Sequence, residues 1–347
     1  MLTKLRKFRK HIHYLFHLNI FIVNLRALES TGMIRYLIKE DGRLRELDEQ
    51  QTGCWINIEP PFTHEELEEV ANQFDIPLDF LTDSLDIDER SRYEREEDVR
   101  LIVLNTPVLN SIKEENDAVY ITVPVGIILL PDYLLTITSY ENPVLQLFLD
   151  NKIKHFNPSD DSAFVLQILE QNVYRFLTFL KNLNLRSNLI DKELYDSSRN
   201  KQLVELLSIE KSLVYFMNSL STNELLKMKM KRTDFLQIRN DEDKTDLFED
   251  IIIDNSQALE MANVYTNILN GTMDAYGSII SNNLNLTIRR LTLITIILMV
   301  PTLIASFYGM NVPLPAQEFP YMSSIIIGVS IMISLLVAWY FQRKRLF

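Results

Sequence analysis

Two stretches near the C-terminus contain no charged residue, 291–317 and 319–342, with Glu318 alone between them. The chain as a whole is 24% Asp, Glu, Lys and Arg, so gaps of this length mark a change of solvent. A hydrocarbon core about 30 Å thick takes about 20 apolar residues of helix. The predicted spans are therefore 291–308 and 322–341. Arg289 and Arg290 precede the first, and Arg343, Lys344 and Arg345 follow the second. The positive-inside bias puts both of those ends in the cytoplasm. Residues 311–321 then form an external loop and 342–347 a basic cytoplasmic tail. Tyr308, Tyr321, Trp339 and Tyr340 fall near the span ends, where amphipathic rings anchor.

The rest of the chain is densely charged, and its balance is uneven. Residues 1–32 carry six Lys and Arg against Glu29, a net of +5. The formal net charge of the whole is -12, which leaves -17 on residues 33–347. An acidic body argues against nucleic acid as a partner, because phosphates call for a basic footprint. Cations suit it. Cys54 is the one cysteine, so no intrachain disulfide forms, and it reads as a small buried hydrophobe. The basic extension 1–32 is expected to be a mis-assigned start or a loose, disordered arm near the membrane surface, with the folded domain opening at Met33. His11, His13 and His17 lack acidic or cysteine neighbours and read as surface positions.

Residues 33–242 read as an α/β domain that closes with helices. Residues 34–38 and 55–58 have strand character. Thr63 reads as a helix N-cap with Glu66 completing a capping box, and Phe62 and Leu67 are placed as a hydrophobic staple. Leu67, Val70, Ala71 and Phe74 then share one helical face. Pro77 ends that helix, and a second short helix covers 78–85. The charge-dense segment 86–98 reads as a solvated loop. Further strand-like runs occupy 99–104, 118–123, 125–130 and 133–138, with Asn116–Asp117 and Pro131–Asp132 as turns. A mixed or largely antiparallel sheet is expected. No Gly-rich phosphate loop is present, which disfavours a nucleotide-binding fold.

From Asp160 the period becomes helical. Phe164, Ile168 and Val173 open one helix. Leu203, Leu206, Leu207, Glu210, Val214 and Met217 mark a second, and 225–236 suggests a third. No proline occurs between Pro158 and Pro301, so long helices are expected. Residues 243–310 can run as one stalk helix, with Ile251, Leu259, Ala262, Ile268 and Ala275 as apolar positions. Such a helix spans ~100 Å and cannot bury its apolar stripe alone, so symmetric self-association is the natural solution. Gly271 and Gly277 are either flexing points or sites of helix packing.

The first span carries Thr295, Met299, Thr302 and Ser306 at three-and-four spacing, hence on one face. The second has fewer small polar positions. The first is therefore assigned to an inner ring around a polar path and the second to an outer ring. Packing by small residues is the other reading of the stripe.

At the end of the first span the chain reads Tyr308-Gly309-Met310-Asn311. With two C-terminal spans, a long preceding helix and an acidic soluble domain, this resembles the CorA-type magnesium channels of bacteria and mitochondria. The resemblance covers residues 33–347. It implies a CorA-like fold: an α+β cytoplasmic domain joined by a very long stalk helix to a two-helix transmembrane domain, assembled as a homopentameric funnel in the lipid bilayer. It assigns Gly309, Met310 and Asn311 to the signature, with Asn311 as the outer selectivity ring; a helix C-cap is the second reading of Asn311. It places Asn285, Ile288, Leu291, Thr295, Met299, Thr302 and Ser306 along the pore. Ile288, Leu291 and Met299 make the apolar constriction, and Asn285 a polar ring on its cytoplasmic side. Asp83 and Asp250 fall where the family senses divalent cations at subunit interfaces. The external loop departs from a Met-Pro-Glu stretch; here Glu318, in Gln317-Glu318-Phe319, is the acidic candidate.

The function so implied is uptake of hydrated Mg2+ across the cytoplasmic membrane, driven by the membrane potential and closed by internal divalent cations. The alternatives are Co2+, Ni2+ or Zn2+ transport on the same scaffold, or a membrane-anchored sensor that conducts nothing. The expected pore face has no His or Cys, which favours a hard ion. No nucleophile–base pair or ligand cluster suggests an enzyme.

Overall fold

In the computed structural model, which describes residues 34–40, 42–111, 117–196, 200–310 and 321–344, the apolar runs of the first domain form the middle of a sheet. Its strands are β1 (Ile34–Glu40), β2 (Arg43–Leu47), β3 (Trp55–Ile58), β4 (Arg92–Glu96), β5 (Val99–Leu109), β6 (Tyr120–Leu129) and β7 (Leu134–Thr138). They lie in the order β2-β1-β3-β7-β6-β5-β4. Only β3 and β7 run parallel; the other pairs are antiparallel. The expected mixed sheet is thus present.

Both faces of this sheet are covered, which is why its central strands read as continuous apolar runs. Along β5, Ile102 and Leu104 join one core, and Leu101 and Val103 join the other. The second core is closed by α1 (His64–Phe74) and α2 (Leu78–Asp83). The first is closed by α3 (Pro143–Leu149), α4 (Asp161–Asp196), α5 (Asn200–Thr233) and the opening turns of α6 (Glu242–Tyr308). Trp55, Phe148, Phe156 and Phe164 form an aromatic knot in the first core, with centroids from 4.5 to 6.5 Å apart. Edge-to-face pairs of this kind add about 0.5–1.5 kcal/mol each beyond burial. The Trp55 indole N–H donates to Thr136 Oγ1 at 2.8 Å, so the ring's one polar atom is satisfied.

The local chemistry of α1 follows its sequence. Thr63 Oγ1 accepts from the Glu66 amide at 3.3 Å, and Glu66 Oε2 accepts from the Thr63 amide at 2.5 Å. Leu67, Val70, Ala71 and Phe74 are its buried residues. The helix stops at Asp75, which takes a left-handed φ of 52°. Close approach of α2 to the sheet requires Gly126: a Cβ there would lie 2.1 Å from Ser84 Oγ and 2.9 Å from Ile137 Cγ2.

Three expectations are corrected, and one strand had no counterpart among them. The charged segment 86–98 is not all loop, since Arg92–Glu96 forms β4 against β5. It is an edge strand whose charges face water, so it lacks the apolar signal of a strand. The polar β2 is the opposite edge and lacks that signal for the same reason. The runs on either side of Pro124 form one strand, β6. Pro124 pairs with Asn105, whose own amide is directed to Ser91 Oγ and Asn223 Oδ1, so the missing N–H breaks no bond between those two. The suggested third helix at 225–236 is the end of α5, which runs to Thr233.

The chain divides into two units, with the boundary on α6 between Asn267 and Ile268. In the second unit α6 continues to Tyr308, and α7 (Met322–Arg343) follows. Helix α6 has 67 residues, or about 100 Å at 1.5 Å per residue. Both α6 and α7 contain segments long and apolar enough to cross a membrane. A Cβ added at Gly271 or Gly277 would meet nothing within 4 Å, so within one chain neither glycine marks a close approach. The extension 1–32, the loop residues Asn311 and Glu318, and the turn residue Asn116 lie outside the described residues.

Candidate functional site

The polar stripe of the first span sits on a helix whose two sides differ. Leu293 is buried, and Ile297, Val300, Pro301 and Ile304 are half-buried. The Ser334 hydroxyl of α7 reaches the Ile297 carbonyl on this side at 3.3 Å. Thr295, Met299, Thr302 and Ser306 each stand two positions beyond a member of that covered set, a rotation of about 200°. They are all exposed, as are Asn285, Ile288 and Leu291 lower on α6. Ile288, Leu291 and Met299 are 52%, 60% and 62% exposed. The stripe therefore lies on the face of α6 away from α7.

The threonines on this face are oriented by the helix itself. Thr295 Oγ1 donates to the Leu291 carbonyl and Thr302 Oγ1 to the Leu298 carbonyl, each at 2.9 Å. A hydroxyl has one hydrogen and two lone pairs. With the hydrogen spent on the backbone, each hydroxyl offers only acceptor capacity outward. That suits water molecules whose hydrogens point away from a cation. The apolar Ile288, Leu291 and Met299 offer no such contacts and would shed water at their level.

At the end of α6 the Gly309 amide donates to Ala305 O at 3.0 Å and Met310 to Phe307 O at 3.3 Å. These bonds close the last turn of the helix just past its end at Tyr308.

The two acidic candidates sit on different elements, α2 and α6. Asp83, the last residue of α2, is held by Arg92 Nη2 at 2.7 Å. Arg92 also bonds Glu89 at 2.9 Å, and Glu94. Burial works against the Arg92 charge, but these two carboxylates outweigh it and hold its pKa above the ordinary value. Asp250, on α6, is exposed and forms no ion pair among the described residues. No group of three or more His, Cys, Asp or Glu is placed to hold a metal ion among the described residues.

Three features of the structure were not read from the sequence. Arg92 as the partner of Asp83 depends on β4, whose polar sequence has the character of a loop. The Ser334 contact had a signal in Pro301, which must leave a carbonyl unpaired. Lys227 on α5 is fully buried with its Nζ 2.6 Å from Asn255 Oδ1 of α6; a lysine in a charged helix carries no sign of this.

Comparison with known proteins agrees with this architecture. A family model described as "CorA-like Mg2+ transporter protein" matches residues 50–344. A cobalt/magnesium transport protein CorA of Methanocaldococcus jannaschii is 28% identical over 295 residues, covering 84% of this chain and 90% of that protein. The protein of the same description from Thermotoga maritima is 22% identical over 302 residues, covering 86% and 84%. The complete structure of the CorA magnesium transporter from M. jannaschii superposes with a TM-score of 0.73 at 24% identity, covering 90% of this chain and 98% of that one.

Proposed function

The chain belongs to the CorA-like Mg2+ transporter family, whose members carry divalent cations across membranes, and on that premise we propose that it is one subunit of a homopentameric channel for hydrated Mg2+. It is a transporter and not an enzyme. The observation that carries the proposal is the exposed stripe on α6. Thr295, Thr302 and Ser306 would be poor company for lipid tails, and α7 lies on the other side of the helix. A ring of copies turns these positions toward a shared wet axis.

The physical sequence is then simple. Mg2+ dehydrates reluctantly and prefers oxygen ligands. A ring of Asn311 amide oxygens would accept hydrogen bonds from its water shell, and a neutral ring recognises the ion without trapping it. Thr302 and Thr295 continue as acceptors. Ile288, Leu291 and Met299 form a constriction that closes by dewetting, and Asn285 receives the ion on the cytoplasmic side. An inside-negative potential supplies the drive, about 4.6 kcal/mol per 100 mV for two charges.

Both relatives are described as cobalt/magnesium transport proteins, so Co2+ is a second cargo. The stripe has no His or Cys, which leaves Ni2+ and Zn2+ less well served. Uptake into proteoliposomes with an imposed potential, scanning Mg2+, Co2+, Ni2+ and Zn2+, tests the reading. Potential-driven Mg2+ entry supports it; a protein that assembles but passes no divalent ion overturns it.

Closure by internal Mg2+ is part of the same proposal. Asp83 and Asp250 supply the hard oxygen donors that such an ion needs, and no group of three or more such ligands forms among the described residues of one chain. A neighbouring copy would have to complete the site. Arg92 already pairs with Asp83 within the chain, so it is the group with which any cation there would compete.

A further inference from the structure

Pro301 lies inside α6, between the stripe residues Met299 and Thr302. A proline has no backbone N–H, so the carbonyl four residues earlier, that of Ile297, loses its helical donor. In a hydrocarbon setting an unpaired carbonyl is costly and needs another partner. The structure supplies one from the other span: Ser334 Oγ lies 3.3 Å from Ile297 O. The next carbonyl, Leu298 O, receives the Thr302 hydroxyl at 2.9 Å. The two carbonyls beside the proline are thus both served by side-chain hydroxyls.

Ser334 has a second acceptor. Its Oγ is 3.0 Å from Ser330 O, one turn back on its own helix. One hydroxyl hydrogen therefore has two destinations, one within α7 and one across to α6. The cross-helix choice holds the backbone at its weakest point; the intrahelical choice releases it. Ser330 is buried and Ser334 half-buried, so water does not readily substitute at this contact.

We propose that Ser334 is a positioning residue that closes the backbone gap left by Pro301 and so steadies the pore helix between Met299 and Thr302. It touches neither the ion nor the stripe; it acts through the Ile297 carbonyl. The functional half of this inference rests on the channel reading above.

A double-mutant cycle tests it in the full-length protein. Ser334→Ala removes the hydroxyl, and Ser334→Thr keeps it. Pro301→Ala restores an N–H for Ile297 O and makes Ser334 dispensable. The readouts are thermal unfolding in detergent and potential-driven Mg2+ flux in proteoliposomes. Expected are a melting temperature lowered by a few degrees and flux changed several-fold in Ser334→Ala. Ser334→Thr should stay near the parent, and Ser334→Ala should have no effect in the Pro301→Ala background. The same loss in both backgrounds would assign the hydroxyl to Ser330 alone and overturn the proposal, as would no change in either readout. Were the parent protein to conduct no divalent ion, the channel reading would fail, while the thermal cycle would still decide the Ser334–Ile297 bond.

Discussion

Lys227 buries its side chain completely and donates a hydrogen bond to Asn255 across the α5–α6 contact. Burial pulls its pKa down from 10.5 to about 7, with the field of Glu224 opposing. The nearby covered positions of α6, Ile251, Asn255 and Ala258, carry no charge. The folded pKa is lower than the unfolded one, so between about pH 7 and 10.5 the unfolded chain binds more protons. Stability therefore rises with pH across that window, by at most about 1.4 kcal/mol per unit. Below about pH 7 the amine is charged in both states and the full cost of its burial remains. Thermal melts of Lys227→Met from pH 6 to 10 should lack this rise. An unaltered pH slope would show that another group is responsible. None of this is visible in the residue's sequence neighbourhood, because its burial is decided by a helix that begins fifteen positions later.

At the scale of elements, two contacts decide whether the sheet and its helices fit. Gly126→Ala would place a Cβ against Ser84 Oγ and Ile137 and force α2 off β6. Overpacking of this type costs about 1–3 kcal/mol, and a chemical-denaturation midpoint should fall accordingly. Unchanged stability would mean that α2 shifts freely. On α6 the threonines matter for what they offer outward. Replacing Thr295 and Thr302 together by Val keeps shape and removes two acceptor oxygens per chain. Helix and assembly should survive while Mg2+ flux drops at least several-fold; an undiminished rate would remove these hydroxyls from the path. The α1 capping box and the 67-residue helix are legible in the sequence, since each is a local pattern. Strands β2 and β4 are not, because an edge strand is held by its neighbour and shows water the same polar face as a loop.

At the scale of the whole molecule, the acidic body carries the regulatory prediction. In an Asp83→Asn, Asp250→Asn double variant, internal Mg2+ should inhibit uptake less, with the inhibition curve shifted to higher concentration. Inhibition identical to the parent would remove both carboxylates from control. Asn311→Ala should assemble as the parent does yet lose selective Mg2+ entry, measured by competition with monovalent cations; retained selectivity would place recognition elsewhere on the path.

Charge gaps and helical period sufficed to place two candidate spans, a helix about 100 Å long and the polar stripe on one of its faces. These are properties of which solvent each residue must face, and they are written locally along the chain. Folding alone decided that Asp83 meets Arg92, that Lys227 is dry, and that Ser334 answers the carbonyl Pro301 leaves open. Each of those joins residues from different elements, and a contact between elements depends on how they pack, which no single stretch of sequence encodes.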